Sequence, residues 1–377
     1  MATREILPLD TVSGRPFYYL KDMLSDLSCE LETFLESESF LNSQLFSRKV
    51  MFTHELKANN NVEGIKDEVD VIQQVIDNAR SITDIDRRNR IINLYRGYKY
   101  IIDGKDITEE NVRKLYKILS NGLLKEDDLK RMGEKYRTAP VYILKNGRLD
   151  GSHKEGVPSM KIDEMMKCFF EYVHNSDLNG SQVEQFIKSQ IMHFYFVHIH
   201  PYFDINGRTS RTVAMWYLLN NDVYSYIIFN RGINFDSDYD RLIRETEDTY
   251  NLTVFLKYMM VNVKKELEKE YVMQSVSAHV SRSFKTIDYQ TIEYFLSLTH
   301  EEKSVLDFVV LYNRFNDKKK PKEIFEKMIC PLIDDGVFDI KRTTRKNMYD
   351  EQPNLVLSLN KSKLSDVNMD KVSRIKL

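Results

Sequence analysis

Residues 193–211 read HFYFVHIHPYFDINGRTSR, and the rest of this chain of 377 residues is best understood from them. The first part of the stretch closes an apolar helical run that starts at Val183. The last part places a histidine, a carboxylate, an amide, a glycine and two arginines within twelve residues, and a second apolar helical run follows over 209–219. A loop this polar between two buried helices is typical of a site that handles charge at a helix N-terminus.

The end of the stretch has the residue types of an anion site. Asn206 and Gly207 fall where the second helix begins, so their backbone N–H groups are free to hold an anion, and glycine lets a phosphate approach the main chain. Arg208 and Arg211 are three positions apart and lie on one helix face, and guanidinium groups bind phosphate oxygens in pairs. The spacing therefore predicts a cradle for a polyphosphate.

Two further residues of the loop bear on the chemistry. Asp204 offers the hard oxygen ligand by which Mg²⁺ is held beside phosphates. His200 titrates near neutral pH and is placed to take a proton from an attacking hydroxyl. We expect the other two histidines of the stretch, His193 and His198, to be structural, because a lone histidine in an apolar helix is more often hydrogen-bonded within the core.

Composition excludes several classes of protein. The formal net charge is −2 and 42% of the residues are hydrophobic, so the chain can build a sizeable core and has no global field that would recruit nucleic acid or a membrane. Three scattered cysteines, Cys29, Cys168 and Cys330, form no metal or disulfide pattern and fit a reducing cytoplasm. There is no run of about 18 uncharged apolar residues, so we expect a cytoplasmic protein without membrane contact. Glycine and proline are scarce, with 13 and 8 residues, so helix should dominate.

Three segments depart from the helical pattern. Residues 138–149 combine β-branched and aromatic residues around Asn146-Gly147, the strongest hairpin signal in the chain. An isolated hairpin of this kind either pairs with an incoming peptide or decorates the surface. Residues 59–64, three asparagines followed by Val-Glu-Gly, have the composition of a turn, and residues 275–283 have that of a linker.

The loop resembles the signature of the Fic family, His-Pro-Phe-x-(Asp/Glu)-(Gly/Ala)-Asn-Gly-Arg-x-x-Arg, whose members mostly transfer AMP from ATP to hydroxyl side chains of proteins. Residues 200–211 follow it with two departures. Tyr202 replaces phenylalanine and keeps an aromatic anchor, whereas Ile205 replaces a small residue and would be strained if the backbone there needs a positive φ. Residues 133–137, Gly-Glu-Lys-Tyr-Arg, are similar to the Gly-x-x-Tyr-Arg sequence that precedes the family's hairpin flap.

This resemblance implies a role for each site residue. His200 would be the base that deprotonates a serine, threonine or tyrosine hydroxyl of a target protein for attack on the α-phosphorus of ATP. The other residues would hold the substrate: Mg²⁺ would be bound by Asp204, phosphate oxygens by Asn206 and Gly207, and the β- and γ-phosphates by Arg208 and Arg211. Gly207, where kinase-like relatives have lysine, argues for transfer of AMP.

Glu63 gains a meaning from the same resemblance. Many family members carry an inhibitory helix with the pattern (Ser/Thr)-x-x-x-Glu-(Gly/Asn), whose glutamate pairs with the second arginine of the loop and displaces the γ-phosphate. Residues 59–64 match this pattern with Asn59 in place of the hydroxyl residue, and they lie N-terminal to the core. We therefore favour an inhibitory helix over a plain turn, with Glu63 occupying the guanidinium fork of Arg211 that ATP requires.

The resemblance also implies the architecture, a mainly α protein with a Fic-type helical core and a β-hairpin flap, plus a small C-terminal α/β domain that is winged-helix-like. We place an N-terminal helical region with the inhibitory helix at 1–110, the catalytic core at 111–265 and the C-terminal domain at 266–377. Basic clusters in the C-terminal domain could contact nucleic acid, but short charge runs are more often solvated faces, so we do not expect it.

Two functions stay open at this point. The first is an autoinhibited protein adenylyltransferase that uses ATP and Mg²⁺ on a protein target, itself included. The second is a nucleotide-sensing regulatory protein that binds DNA or a protein partner through its C-terminal domain. The sequence leaves the oligomeric state open, a homodimer included.

Overall fold

The computed structural model describes residues 3–36, 48–65, 67, 69–78, 82–143, 154–175, 180–223, 228–233, 238–281, 303–305, 309–310, 313, 320–334, 338–342 and 355–359. Within these residues the protein is mainly helical, as predicted. The chain divides into two compact units, residues 1–32 with 47–266 and residues 33–46 with 267–377. The separation of an N-terminal region from a catalytic core at residue 110 stays a prediction. Within the described segments, no helix combines the length and apolar character needed to cross a membrane.

The first unit is built from helices around an apolar core. In chain order, the elements that begin in it are β1 (Arg4–Ile6), β2 (Tyr18–Leu20), α1 (Ser25–Glu36), α2 (Arg48–Val62), α3 (Val69–Asp77), α4 (Ile85–Ile102), α5 (Glu109–Ser120), α6 (Glu126–Lys130), β3 (Tyr142–Ile143), β4 (Lys154–Glu155), α7 (Ser159–His174), α8 (Gln182–Ile199), α9 (Asn206–Asn220), α10 (Tyr239–Thr249) and α11 (Thr253–Ser281).

Short polar side chains set where two central helices begin. The Thr108 hydroxyl accepts a hydrogen bond from the Asn111 N–H and starts α5. Ser181 and Glu184 form a capping box at the start of α8, in which each side chain accepts a hydrogen bond from the other residue's backbone N–H. These caps satisfy amides that have no partner inside the helix.

Helix α8 runs through the middle of the first unit. It packs against α7 and α9, and its consecutive residues Phe194, Tyr195 and Phe196 are all fully buried. The helix is buried on nearly every side, and its buried residues are mostly apolar but include Gln185, Lys188, Ser189, Gln190 and His193. The C-terminal end of α8 therefore holds residue 200 in a defined position.

The N-terminal strands brace the same end of α8. β1 and β2 pair as an antiparallel hairpin, and Phe17 beside β2 is fully buried, with its ring 5.1 Å from that of Phe194. The backbone of Tyr18 is hydrogen-bonded to the segment between α10 and α11. Its N–H donates to the Tyr250 carbonyl, and its carbonyl accepts from the Leu252 N–H.

Residues 59–64 contain the end of helix α2, as in the helix that we favoured over a plain turn. The three asparagines are helical, and α2 continues to Val62. It is closed by Gly64, where φ is 72°, and the Gly64 and Ile65 N–H groups bond back to the carbonyls of Asn61 and Asn60. This is a Schellman motif, which places glycine just beyond the helix because glycine adopts a positive φ without strain.

One prediction from sequence is wrong, and the predicted hairpin is present. Residues 275–281 are the end of α11 and not a linker, while residues 282–283 lie outside the described residues. The predicted hairpin consists of β3 and β4, which are antiparallel, with Tyr142 paired with Glu155 and Ile143 with Lys154. Residues 144–153 lie outside the described residues.

The second unit has a three-stranded antiparallel sheet, consistent with the small α/β domain that we predicted. Its strands are β5 (Lys303–Ser304), β6 (Phe338–Arg342) and β7 (Leu355–Leu359), in the order β5-β7-β6. A helical run precedes β6 and consists of α12 (Pro321–Ile324), a π-helical turn at Phe325–Ile329 and α13 (Cys330–Asp334).

Candidate functional site

The loop between α8 and α9 turns the chain at two residues with left-handed backbone conformations. His200 ends α8 with φ 52° and ψ 60°, and Ile205 precedes α9 with φ 66° and ψ 12°. Ile205 is a buried β-branched residue, so the strain anticipated from the sequence is present at this position. No side chain of the described residues caps the start of α9, and its first N–H groups are therefore available to a ligand.

The side chain of Asn206 holds the loop together. Its carbonyl oxygen accepts from the Tyr202 N–H at 3.0 Å, and its amide nitrogen donates to the Tyr202 carbonyl at 2.9 Å. The Tyr202 ring is buried and stacks on Tyr116 with 3.5 Å between ring centroids. An aromatic ring thus anchors the loop, as the sequence indicates, and Asn206 would meet a phosphate through its backbone N–H.

The imidazole of His200 is in a state suited to accept a proton. Its Nδ1 lies 3.3 Å from the Val197 carbonyl, so a proton on Nδ1 is hydrogen-bonded and Nε2 is the basic nitrogen. Burial lowers the pKa of His200 to about 4, so the ring is neutral at pH 7.

The other two histidines of α8 are engaged within the core. His193 is fully buried between the Ser210 hydroxyl at 3.0 Å and the Tyr239 hydroxyl at 2.6 Å. The Nδ1 of His198 lies 2.9 Å from a carboxylate oxygen of Glu247. Both contacts agree with the structural role that we expected.

Arg208 and Arg211 are both buried in the first turns of α9. Arg208 Nε has no hydrogen-bond partner among the described residues, and an unpaired buried guanidinium nitrogen is costly unless a ligand binds it. Arg211 is bound by α2 and the residue after it: Nη2 donates to Glu63 Oε1 at 2.6 Å and Nε donates to Asn59 Oδ1 at 2.9 Å. A second bond runs from Nη2 to the Asn59 carbonyl at 3.2 Å.

The carboxylate of Glu63 lies over the start of α9. A Cβ atom built on Gly207 would lie 2.5 Å from Glu63 Oε1, so only glycine leaves room for the carboxylate at this position. Burial alone would raise the pKa of Glu63, but the Arg211 and Arg208 guanidinium groups outweigh burial and hold that pKa below its usual range. Glu63 is therefore an anion bound in the predicted anion cradle.

Asp204 fits a site for Mg²⁺ that phosphate oxygens complete. Its side chain is exposed, and one oxygen accepts from the Ile205 N–H at 2.6 Å while the other accepts no hydrogen bond from the described residues. The described residues contain no group of three histidine, cysteine or acidic side chains that could hold a metal by themselves. A single carboxylate plus substrate oxygens is the usual way in which Mg²⁺ is held.

Comparison with known proteins agrees with this geometry. Residues 106–218 match the sequence model of the Fic/DOC family. This part of the chain is therefore similar to a Fic/DOC domain. The fold of the chain is similar to that of a Fic family protein from Desulfovibrio desulfuricans G20, with a TM-score of 0.55 and 16% identity over 92% of this chain and 98% of the other. It is also similar to Fic-1 from C. elegans, with a TM-score of 0.51 and 14% identity over 68% of this chain and 73% of the other.

The region that matches the Fic/DOC model contains an arginine whose role the sequence does not reveal. Arg137 is almost fully buried, and its Nε donates to the carbonyl of His200 at 2.8 Å. Its Nη1 donates to the Ala139 carbonyl at 2.9 Å and its Nη2 to the Val157 carbonyl at 2.5 Å. The Arg137 N–H also donates to the Pro201 carbonyl. In the sequence, this residue stands out only as the end of a Gly-x-x-Tyr-Arg motif.

Asn59 is a second residue of the site that the sequence does not single out, since it appears there only as a departure from the inhibitory pattern. It is fully buried, and besides its bonds to Arg211 its amide nitrogen donates to the Tyr98 hydroxyl at 3.0 Å. A signal for it exists in the pattern, because the position four residues before Glu63 is where a hydroxyl residue is expected.

Proposed function

We propose that this protein is an autoinhibited protein adenylyltransferase that moves AMP from ATP to a serine, threonine or tyrosine hydroxyl of a protein, itself included. The ion pair between Glu63 and Arg211 carries the proposal, because it puts a carboxylate on a guanidinium group at the start of a helix. The neutral His200 nearby, with Nε2 as its basic nitrogen, supplies the base that transfer to a hydroxyl needs.

Each residue of the site would have one task in the transfer. His200 Nε2 takes the proton of the attacking hydroxyl as its oxygen forms a bond to the α-phosphorus of ATP, and the bond from that phosphorus to pyrophosphate breaks. The N–H groups at the start of α9 and the guanidinium groups of Arg208 and Arg211 stabilise the charge that develops on the phosphates. Mg²⁺ bound at Asp204 would neutralise part of the charge on the leaving pyrophosphate.

Glu63 would inhibit this reaction by competition. Its carboxylate occupies Arg211 and the space above Gly207, where a phosphate would need both the guanidinium group and the main chain. A carboxylate and a phosphate cannot share one guanidinium fork at close range, because like charges repel.

The substitution Glu63→Gly tests the proposal. We expect incorporation of label from α-labelled ATP, into the protein itself or into proteins of a lysate, to rise about tenfold or more, because a hydrogen bond between charged groups contributes about 1.5–3 kcal/mol. Mass spectrometry should find the mass of one AMP on a hydroxyl side chain.

Two further variants make the test specific. Glu63→Gln keeps the shape of the side chain without its charge and should give an intermediate rate. Glu63→Gly combined with His200→Ala should bind ATP and transfer nothing. If Glu63→Gly binds ATP with Mg²⁺ and transfers no AMP, the protein is a nucleotide sensor and the proposal is wrong.

A further inference from the structure

Arg137 joins three parts of the region that matches the Fic/DOC model through one guanidinium group. Ala139, whose carbonyl accepts from Nη1, precedes β3, and Val157, whose carbonyl accepts from Nη2, follows β4. The third acceptor is the carbonyl of His200, at the end of α8. The same side chain therefore contacts both ends of the β3–β4 hairpin and the main chain of the candidate base.

The contact with Arg137 helps to hold an unfavourable backbone conformation at His200. A non-glycine residue at φ 52° is held there by its surroundings, because the left-handed region is disfavoured by about 1–2 kcal/mol. Two of those surroundings belong to Arg137: its Nε on the His200 carbonyl and its N–H on the Pro201 carbonyl. The direction of the imidazole depends on the backbone that these bonds hold.

The hairpin side of the contact is closely packed. The Gly156 N–H donates to the Val141 carbonyl at 2.9 Å, which closes the hairpin just outside β3 and β4. A Cβ atom at Gly156 would lie 2.8 Å from Val141 Cγ1 and 3.1 Å from Arg137 Nη2. A shift at either end of the hairpin would therefore press on the guanidinium group.

We propose that Arg137 is a positioning residue that couples the β3–β4 hairpin to His200, so that an acceptor segment paired with the hairpin sets the place of the base. The acceptor's role rests on the proposed function, whereas the coupling itself does not. Arginine suits this task because its planar fork donates in several fixed directions at once, while lysine donates from a single nitrogen.

The substitution Arg137→Lys, made in the Glu63→Gly protein, separates positioning from folding. We expect the maximal rate of AMP transfer to fall about tenfold or more, because small misplacements of a reacting group have effects of that size. The ATP concentration for half-maximal rate should stay within about twofold, because Arg208, Arg211 and the start of α9 are untouched. A residue with only a structural role would change both values together with the melting temperature.

Gly156→Ala provides a second test from the hairpin side, since it leaves Arg137 in place and crowds its Nη2. It should lower the maximal rate in the same way. Arg113→Lys is a matched control: Arg113 donates to the Glu134 carbonyl on the same segment without contact to His200, and its variant should keep the parent rate.

Hydrogen–deuterium exchange tests the coupling whether or not AMP is transferred. In Arg137→Lys, peptides covering residues 154–160 and peptides covering residues 197–202 should both exchange faster than in the parent, while peptides at the start of α9 should not change. Faster exchange in only one of the two regions, or a parental transfer rate in Arg137→Lys, would overturn the proposal.

Discussion

Buried neutral histidines make the stability of the first unit depend on pH. Burial lowers the pKa of His200 to about 4 and those of His193 and His54 to about 3. An unfolded histidine titrates near pH 6.5, so between about pH 4 and pH 6.5 the unfolded state binds more protons than the folded state. The free energy of unfolding should therefore fall by up to about 1.4 kcal/mol per histidine for each pH unit lost in this window, and buried Glu55, whose pKa burial raises to about 7, offsets part of this loss.

Urea denaturation at about pH 7, 6 and 5 measures this dependence. The variant His200→Ala should show a shallower decrease, because one of the three buried histidines is gone. An equal slope in the variant and the parent would show that His200 does not change its proton affinity on folding.

Ile205 allows a test of backbone strain. At φ 66° an alanine has the same left-handed strain as isoleucine, whereas glycine has none. Ile205→Ala and Ile205→Gly should both lose stability, because the buried side chain is removed. Ile205→Gly should nevertheless be the more stable of the two by up to about 1 kcal/mol, the reverse of the order in an ordinary helix. Thermal unfolding of both variants measures this difference. A higher melting temperature for Ile205→Ala than for Ile205→Gly would contradict the prediction.

Helix α2 presents its asparagines to two other helices. Asn59 accepts from Arg211 of α9 and donates to Tyr98 of α4, and all three side chains are buried. The helix is therefore held by hydrogen bonds in its last turns as well as by apolar contacts. These bonds offset the unfavourable helix propensity of Asn59.

The substitution Asn59→Ala should destabilise the first unit by about 1–3 kcal/mol, because it leaves buried polar atoms of Arg211 and Tyr98 without this partner. It should also raise the rate of AMP transfer by less than Glu63→Gly does, since Glu63 remains on Arg211 in the variant. Chemical denaturation and the labelled-ATP assay measure the two effects. Unchanged stability would mean that water replaces the amide without cost.

Local sequence rules predicted elements better than the pairing between them. The two apolar runs beside the loop, from Val183 and over 209–219, were predicted as helices and are α8 and α9. The pairing of β3 with β4 depends on residues across the hairpin, and the Asn146-Gly147 signal predicts a hairpin without giving its register. The bond from Asn59 to Arg211 joins residues 152 positions apart, a separation at which helical periodicity carries no information.

At the scale of the whole molecule, the site draws on more of the chain than the family match covers. The Fic/DOC match spans residues 106–218, which includes the loop and Arg137. Asn59 and Glu63 lie outside it, on the segment that ends α2. The pairing of Glu63 with Arg211 was nonetheless predictable, because a short pattern and a charged partner were both visible in the sequence. Buried arginines are concentrated at this site although the net charge of the chain is only −2.

The Schellman motif at Gly64 makes the end of α2 sensitive to the loss of its ion pair with Arg211. Glu63 sits at the C-terminal end of α2, where the carbonyl dipoles are negative and a carboxylate is disfavoured by about 0.3–1 kcal/mol. Arg211 offsets this repulsion while the ion pair exists. A phosphate bound to Arg211 would remove the offset, so nucleotide occupancy would favour fraying of the last turn of α2, and the helix end would report the state of the site.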